Sequence, residues 1–238
     1  MGAEQILTNR PLPGARVNMA HPLALDLRGC WFLNETGGLR AMDCSPYGNH
    51  GLLAGFPLAG RPFNGLYFDG ANTNIAVPDA TSIAAFPNGI TLEAWVMPKA
   101  TMTDNGILYK GEKSVSNGDW VMRIAASSRI VISFNNATAV HTGAVGITDT
   151  AHIYHIVGTY DLGKVSLFMD GQADGNTAYT TALTPSAFGA EIGMYFSTSY
   201  RFTGFIYLVR IWGRALSADE VKNLYISPYK PMGLPFFL

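Results

Sequence analysis

The 238-residue sequence is short of charge: 14% of its residues are charged, against 48% hydrophobic. Lys and Arg number 16 and Asp and Glu 17, for a formal net charge of −1. A chain this apolar is not intrinsically disordered, and without a basic excess it has no general electrostatic grip on nucleic acid. No apolar run approaches the length of a membrane-spanning helix, so insertion by that route is excluded. Cysteine is scarce: Cys30 and Cys44 are too few for a disulfide framework. The stretch from Met1 to Arg10 carries an early acid, Glu4, and no apolar centre, so it does not read as a secretory signal. The expectation is a chain made in the cytoplasm with two reduced thiols, acting in a virion or other assembled particle.

Catalytic patterns are also missing. Glycoside hydrolysis needs two carboxylates about 5–10 Å apart, which on one strand means acids at alternate positions. Glu93 stands alone in its apolar segment, and Glu112, Asp119 and Glu191 have no acid at that spacing. His152 and His155 lie three apart in a strand-like stretch and so face opposite ways, which supports neither a zinc site nor a Ser-His-Asp triad. The glycines punctuate turns and never open a helix, so there is no phosphate cradle. The reading is that the chain is not an enzyme.

What is present is turn-rich and β-rich: Gly 26, Pro 13 and 12% aromatic residues. Ile90 to Val96 has strand composition, and Arg129 to Phe134 sets Ile130, Ile132 and Phe134 on one face. Tyr154–Tyr160 and Lys164–Asp170 flank the turn Asp161-Leu162-Gly163, as a hairpin does, with Val165, Leu167 and Met169 sharing a face. Phe205 to Trp212 is apolar on nearly both faces, as a central strand covered on each side would be. A single helix is predicted, from the capping box Ser217-Ala218-Asp219-Glu220 to about Tyr225, ahead of Pro228. Strand after strand with one short helix predicts an all-β, two-sheet sandwich.

The order of motifs resembles the laminin-G-like branch of the concanavalin A-like lectin/glucanase jelly rolls. The carriers are Cys30 to Glu35, the loop Asp43 to Gly51, Phe68-Asp69-Gly70 and Val77-Pro78. They continue through Thr91 to Val96, Ile107 to Gly111, His155 to Asp161, Asp170-Gly171 and Gly204 to Ser217. The resemblance spans about residues 24–225. It implies a two-sheet antiparallel jelly-roll fold whose relatives bind glycans, proteins or lipids, and some of which are glycosidases; the strand with three spaced acids that the glucanases carry is absent here. It also implies a calcium site at the early loop, where Asp43 and Asn49 match, although Tyr207 stands where the family's closing strand usually has a carboxylate. The alternative is that Asp43 and Asn49 simply close a turn through hydrogen bonds to the backbone. No cofactor is required; calcium is the one metal candidate.

Three regions follow: an extended N-terminal arm at 1–23, the jelly-roll domain at 24–226 and an apolar tail at 227–238. Pro11 and Pro13 mark the first arm as irregular, while Tyr229, Phe236, Phe237 and Leu238 make the tail apolar. Two fates stand for the tail: folding back on its own domain, or docking on a neighbouring subunit of a capsid, a tail structure or a homo-oligomer. Glycan stacking would fall to exposed aromatics with polar neighbours, for which Trp120, Tyr195, Phe196, Tyr200 and Arg201 are the candidates. The leading expectation is a non-catalytic virion structural or decoration protein of a phage-like particle; the alternative is an independent lectin module, and a glycoside hydrolase with carboxylates brought from separate strands stands third.

Overall fold

Period-two alternation along the chain becomes two antiparallel sheets packed face to face in the computed structural model. It describes residues 6–8, 10–61, 64–99, 104–112, 118–135 and 139–232. The first sheet has seven strands in the order β1 (Leu27–Trp31), β17 (Thr203–Trp212), β6 (Ile90–Pro98), β11 (Tyr154–Tyr160), β12 (Lys164–Met169) and β13 (Gln172–Ala178), with β4 (Leu66–Asp69) also paired to β17. The second has eight, in the order β10 (Ala139–Gly146), β9 (Arg129–Phe134), β8 (Trp120–Ile124), β7 (Asn105–Lys110), β14 (Ala190–Ile192), β5 (Asn74–Val77), β3 (Gly51–Ala54) and β2 (Arg40–Ala41). A short hairpin, β15 (Met194–Tyr195) and β16 (Ser197–Arg201), stands apart from both. The all-β jelly-roll expectation holds.

Between the sheets, Leu92, Ala94 and Val96 of β6 and Val165, Leu167 and Met169 of β12 meet Met122, Ile124, Ile130, Ile132 and Phe134 from the other layer. The alternate residues of the seven-stranded sheet form a second core on its outer side. There Trp95, Val157, Phe168, Leu208 and Trp212 pack with Ile6, Val17, Leu23, Val221, Leu224 and Tyr229. A strand apolar on both faces therefore obtains its two covers, one from the opposing sheet and one from the chain ends.

The described parts of both ends, residues 6–8, 10–24 and 228–232, lie on their own domain rather than extending from it. Arg10 is buried and its Nη2 donates to the carbonyls of Phe32 and Tyr207. Pro11 is buried, and its carbonyl accepts from Asn34 Nδ2 at 2.8 Å. Trp212 Nε1 donates to the Leu23 carbonyl at 2.8 Å, and Tyr229 Oη to the Ile6 carbonyl at 2.8 Å. The two ends also meet each other, Asn18 N donating to the Pro231 carbonyl at 3.0 Å. The physical reason is the outer apolar face itself: burial at about 25 cal/mol per Å² favours covering it with whatever apolar chain is tethered nearest. Of the proposed assembly contacts, Pro13 is exposed, and Phe236, Phe237 and Leu238 lie outside the described residues.

Local chemistry explains the motifs. Ser217 accepts from Glu220 N at 3.2 Å while Glu220 returns a bond to Ser217 N at 2.9 Å, starting the helix Ala218–Ile226 whose Val221 and Leu224 are buried. A cap of this kind contributes about 1 kcal/mol. In Phe68-Asp69-Gly70, Asp69 Oδ1 accepts from the backbone of Ala71, Asn72 and Thr73 at 2.9, 2.8 and 3.0 Å, and Gly70 takes a φ of 72°. Cys30 and Cys44 are free thiols, although the Cys44 N–H donates to the Cys30 carbonyl at 2.8 Å.

Candidate binding face

Two carboxylate-bearing places were read from the sequence, and in both the oxygens are spent on the fold. Glu93 lies opposite Arg210 in the β6–β17 register and is fully buried on the covered outer face. Arg210 grips it with two bonds of 2.6 Å, His155 Nε2 bonds it at 2.9 Å and Trp95 Nε1 at 3.1 Å. Burial would push the Glu93 carboxyl up, but the Arg210 charge and the His155 bond outweigh it and hold it down to about 2. Arg210 also donates to the Pro228 carbonyl at 2.8 Å, which pins the C-terminal segment over the network. Trp95 stacks on His155 at 4.5 Å and on Tyr225 at 5.8 Å. Sequence reading saw Glu93 as a lone acid; the missed signal was the equally lone Arg210 in an apolar strand.

The early loop is a closed turn. Asp43 Oδ1 accepts from Cys30 N and Ser45 N, both at 2.8 Å, and Oδ2 from Ser45 Oγ and Asn49 N, both at 2.7 Å. Asn49 Oδ1 accepts from Ser82 Oγ at 2.9 Å and its Nδ2 donates to the Arg28 carbonyl at 2.8 Å. Calcium wants six or more oxygen ligands; all four acceptor positions of Asp43 are taken by the turn and Asn49 Oδ1 already accepts from Ser82, so the pair as folded does not fit the ion. No group of three or more His, Cys, Asp or Glu side chains is placed to hold a metal among the described residues.

The outer face of the eight-stranded sheet is different. Met122 and Ile124 point into the core, so Val121 and Arg123 of β8 point out, as do Tyr109 of β7 and Glu191 of β14. Onto this face sits the β15–β16 hairpin. Gly106 permits the approach: a Cβ there would lie 2.1 Å from Tyr195 N. Tyr195 packs edge-on to Tyr109 at 5.5 Å, to Phe196 at 4.7 Å and to Tyr200 at 6.0 Å, while Phe196 and Tyr200 lie 4.9 Å apart. The Arg123 guanidinium is 5.3 Å from the Tyr195 ring centroid and pairs with Asp104. Alongside, Arg201 Nη1 bonds Asn74 Oδ1 at 2.6 Å, and Asn74 Nδ2 bonds Glu191 Oε2 at 2.6 Å. Arg201 Nε is buried with no hydrogen-bond partner.

The proposed stacking residues thus divide. Phe196, Tyr200 and Arg201 are half-buried on the hairpin and come together. Tyr195 is buried beneath them and supports the others, so it is not itself a stacking surface. Trp120 is corrected outright: as the first residue of β8 it points between the sheets and is 1% exposed, because alternation places it with Met122. Tyr109, Arg123, Asn74 and Glu191 were missed; their signal was the outward parity of strands whose inward residues are apolar.

Residues 69–222 match the family model Laminin_G_3, of the concanavalin A-like lectin/glucanases superfamily. Among solved structures, the binding domain of Paraclostridial Mosquitocidal Protein 1 is similar with a TM-score of 0.68 at 15% identity, over 87% of this chain and 53% of that one. A Trypanosoma rangeli sialidase in complex with sialic acid gives 0.66 at 20% identity, over 97% of this chain and 37% of that one. Domain 4 of AbnA, an extracellular arabinanase from Geobacillus stearothermophilus in complex with arabinotriose, gives 0.60 at 14% identity, over 84% and 98%. The chain therefore spans about half the length of the mosquitocidal binding domain it matches. No curated protein matches by sequence.

Proposed function

We propose, for a chain that belongs to the Laminin_G_3 family of the concanavalin A-like lectin/glucanases superfamily, a non-catalytic role as a carbohydrate-binding module. The observation that carries it is the half-exposed pair Phe196 and Tyr200, held 4.9 Å apart on the β15–β16 hairpin beside half-buried Arg201, which buried Asn74 positions. Aromatic faces stack on the apolar faces of sugars, and a guanidinium beside them meets hydroxyls and carboxylates. The sialidase and arabinanase structures, solved with sialic acid and arabinotriose, lend the ligand class. Against hydrolysis stands the state of the acids: Glu93 is sealed under the C-terminal segment, Glu191 bonds Asn74 and Asp104 pairs with Arg123.

A glycan array followed by calorimetry tests this. The expected result is binding that Tyr200→Ala weakens at least about tenfold, the scale of a lost stacking contact with its ordering. An array without a hit, or a Tyr200→Ala chain that binds like the parent, sinks it.

The finer reading makes the module a structural or decoration subunit of a bacteriophage-like particle. It is supported by the apolar stretch Leu234 to Leu238, which lies outside the described residues. Size-exclusion of the full chain and of one ending at Met232 checks it: a self-assembling species lost on truncation supports it, and identical monomers overturn it.

A further inference from the structure

Away from the aromatic face, the N-terminal segment and the 43–50 turn leave between them a cleft of about 450 Å³. That is within the size range of small-ligand sites. Met19, Met42 and Tyr47 line it with side chains that are about half exposed, and Arg16, Cys44 and His50 are set among them. Asp43 lines it too, but all four of its acceptor positions are filled by the turn's own N–H and O–H groups. His50 Nδ1 accepts from Asp43 N at 3.0 Å, which puts the ring proton on Nε2 and makes that atom a donor. The Cys44 thiol stays protonated, pushed up to about 12 by burial first and by Asp43 and Glu35 next. The Arg28 guanidinium lies 5.8 Å from the Tyr47 ring centroid and steadies the ring.

The cleft therefore offers aromatic and thioether surface together with donors, while its one carboxylate is already spent. We propose that it is a binding site for an acidic sugar, whose apolar ring face lies on Tyr47 and whose carboxylate meets Arg16 and His50 Nε2–H. A guanidinium matches a carboxylate with two parallel bonds, the strongest polar contact available on these walls. A purely apolar occupant would bury Arg16 and the imidazole N–H without partners, which is costly. A neutral sugar would bring hydroxyls but nothing to answer the cation. This goes beyond the proposed function, since the cleft and the aromatic face share no residue.

The test is a titration of the ¹⁵N-labelled full chain with glucuronic acid, glucose and acetate, followed by heteronuclear NMR. Glucuronic acid should shift amides at 14–19 and 42–50 and bind more tightly than either control. Arg16→Ala and Tyr47→Ala should each weaken it about tenfold, the effect of losing a charge-assisted bond or a ring contact. The shifts at 14–19 and 42–50 are followed apart from any at 194–201, and Lys222→Ala, on the exposed side of the C-terminal helix, should leave them unchanged, so failure here is separate from failure on the aromatic face. Equal response of the 14–19 and 42–50 amides to glucose or to acetate, no response of them to glucuronic acid, or an Arg16→Ala chain that titrates like the parent would overturn the proposal.

Discussion

The two sheets turn very different outer faces to their surroundings. On the seven-stranded sheet, Glu93, His155, Arg210 and Trp95 bond one another under a lid made of both chain ends and the C-terminal helix. On the eight-stranded sheet, the β15–β16 hairpin buries Tyr109 but leaves Arg123, Phe196, Tyr200 and Arg201 half-buried, with no further cover over them among the described residues. Both faces carry charged and aromatic side chains, so residue type alone does not separate structure from function. What separates them is cover. In the first, solvent is excluded even though His155 Nδ1, Arg10 Nε and Arg10 Nη1 have no hydrogen-bond partner; in the second, the rings of Phe196 and Tyr200 and the guanidinium of Arg201 keep part of their surface exposed. Aromatic and polar groups left accessible on a packed support are what a ligand uses.

The sharpest way to break this contrast is to cut the buried network. Arg210→Ala leaves the Glu93 carboxylate buried and unpaired, and about 3–5 kcal/mol of stability should go with it in urea unfolding. Replacing both partners together, Glu93→Leu with Arg210→Met, should cost much less, because no orphaned charge remains. A double variant as unstable as the single one would show that the network does more than neutralise itself. The same pair sets an acid limit. The folded Glu93 carboxyl sits at about 2, below its ordinary value of 4.5. The stability it contributes is therefore complete above that ordinary value and is lost as pH falls toward about 2. Thermal midpoints measured down that range should drop in the parent and drop less in the double variant.

Next in size is the lid. Tyr229 packs edge-on to Phe32 at 5.9 Å and donates to the Ile6 carbonyl. Tyr229→Ala should cost about 3 kcal/mol, as large aromatic truncations in a core do, and Tyr229→Phe about 1 kcal/mol for the single bond. Equal losses for the two would mean that the lid is held by the hydroxyl rather than by packing.

How much of this was legible in the sequence depended on range. The capping box at Ser217, the hairpin around Asp161-Leu162-Gly163 and the core face of Ile130, Ile132 and Phe134 are local patterns, and each appears as read. The both-face apolarity of Phe205 to Trp212 announced a second cover, yet not which segment supplies it. Arg10 and Tyr229 looked like parts of loose ends because their partners, Phe32, Tyr207 and Ile6, lie far away in sequence. Trp120 failed for a subtler reason: a loop-like run before it, Asn117-Gly118-Asp119, hid the start of β8, and one position of parity decides core or surface. Tyr200 and Phe196 were found, but the sheet beneath them was not, since Tyr109 and Arg123 reach them only through pairing of distant strands.

The smallest stability effect belongs to the open face, and it is the one that tests the comparison most directly. Tyr200 is half-buried and packs with Tyr195 and Phe196 at the margin of a small outer cluster, away from the two main cores. Tyr200→Ala should therefore cost below about 1 kcal/mol, the range of substitutions outside packed interiors. Against that small loss stands the predicted removal of most glycan affinity. The dissociation of the two readouts is the point: at Arg210 a substitution should damage folding, and at Tyr200 it should damage recognition while the melting curve scarcely moves. A Tyr200→Ala chain that melts like Arg210→Ala would place the hairpin aromatics in the fold's support and leave the open face without its main binding group.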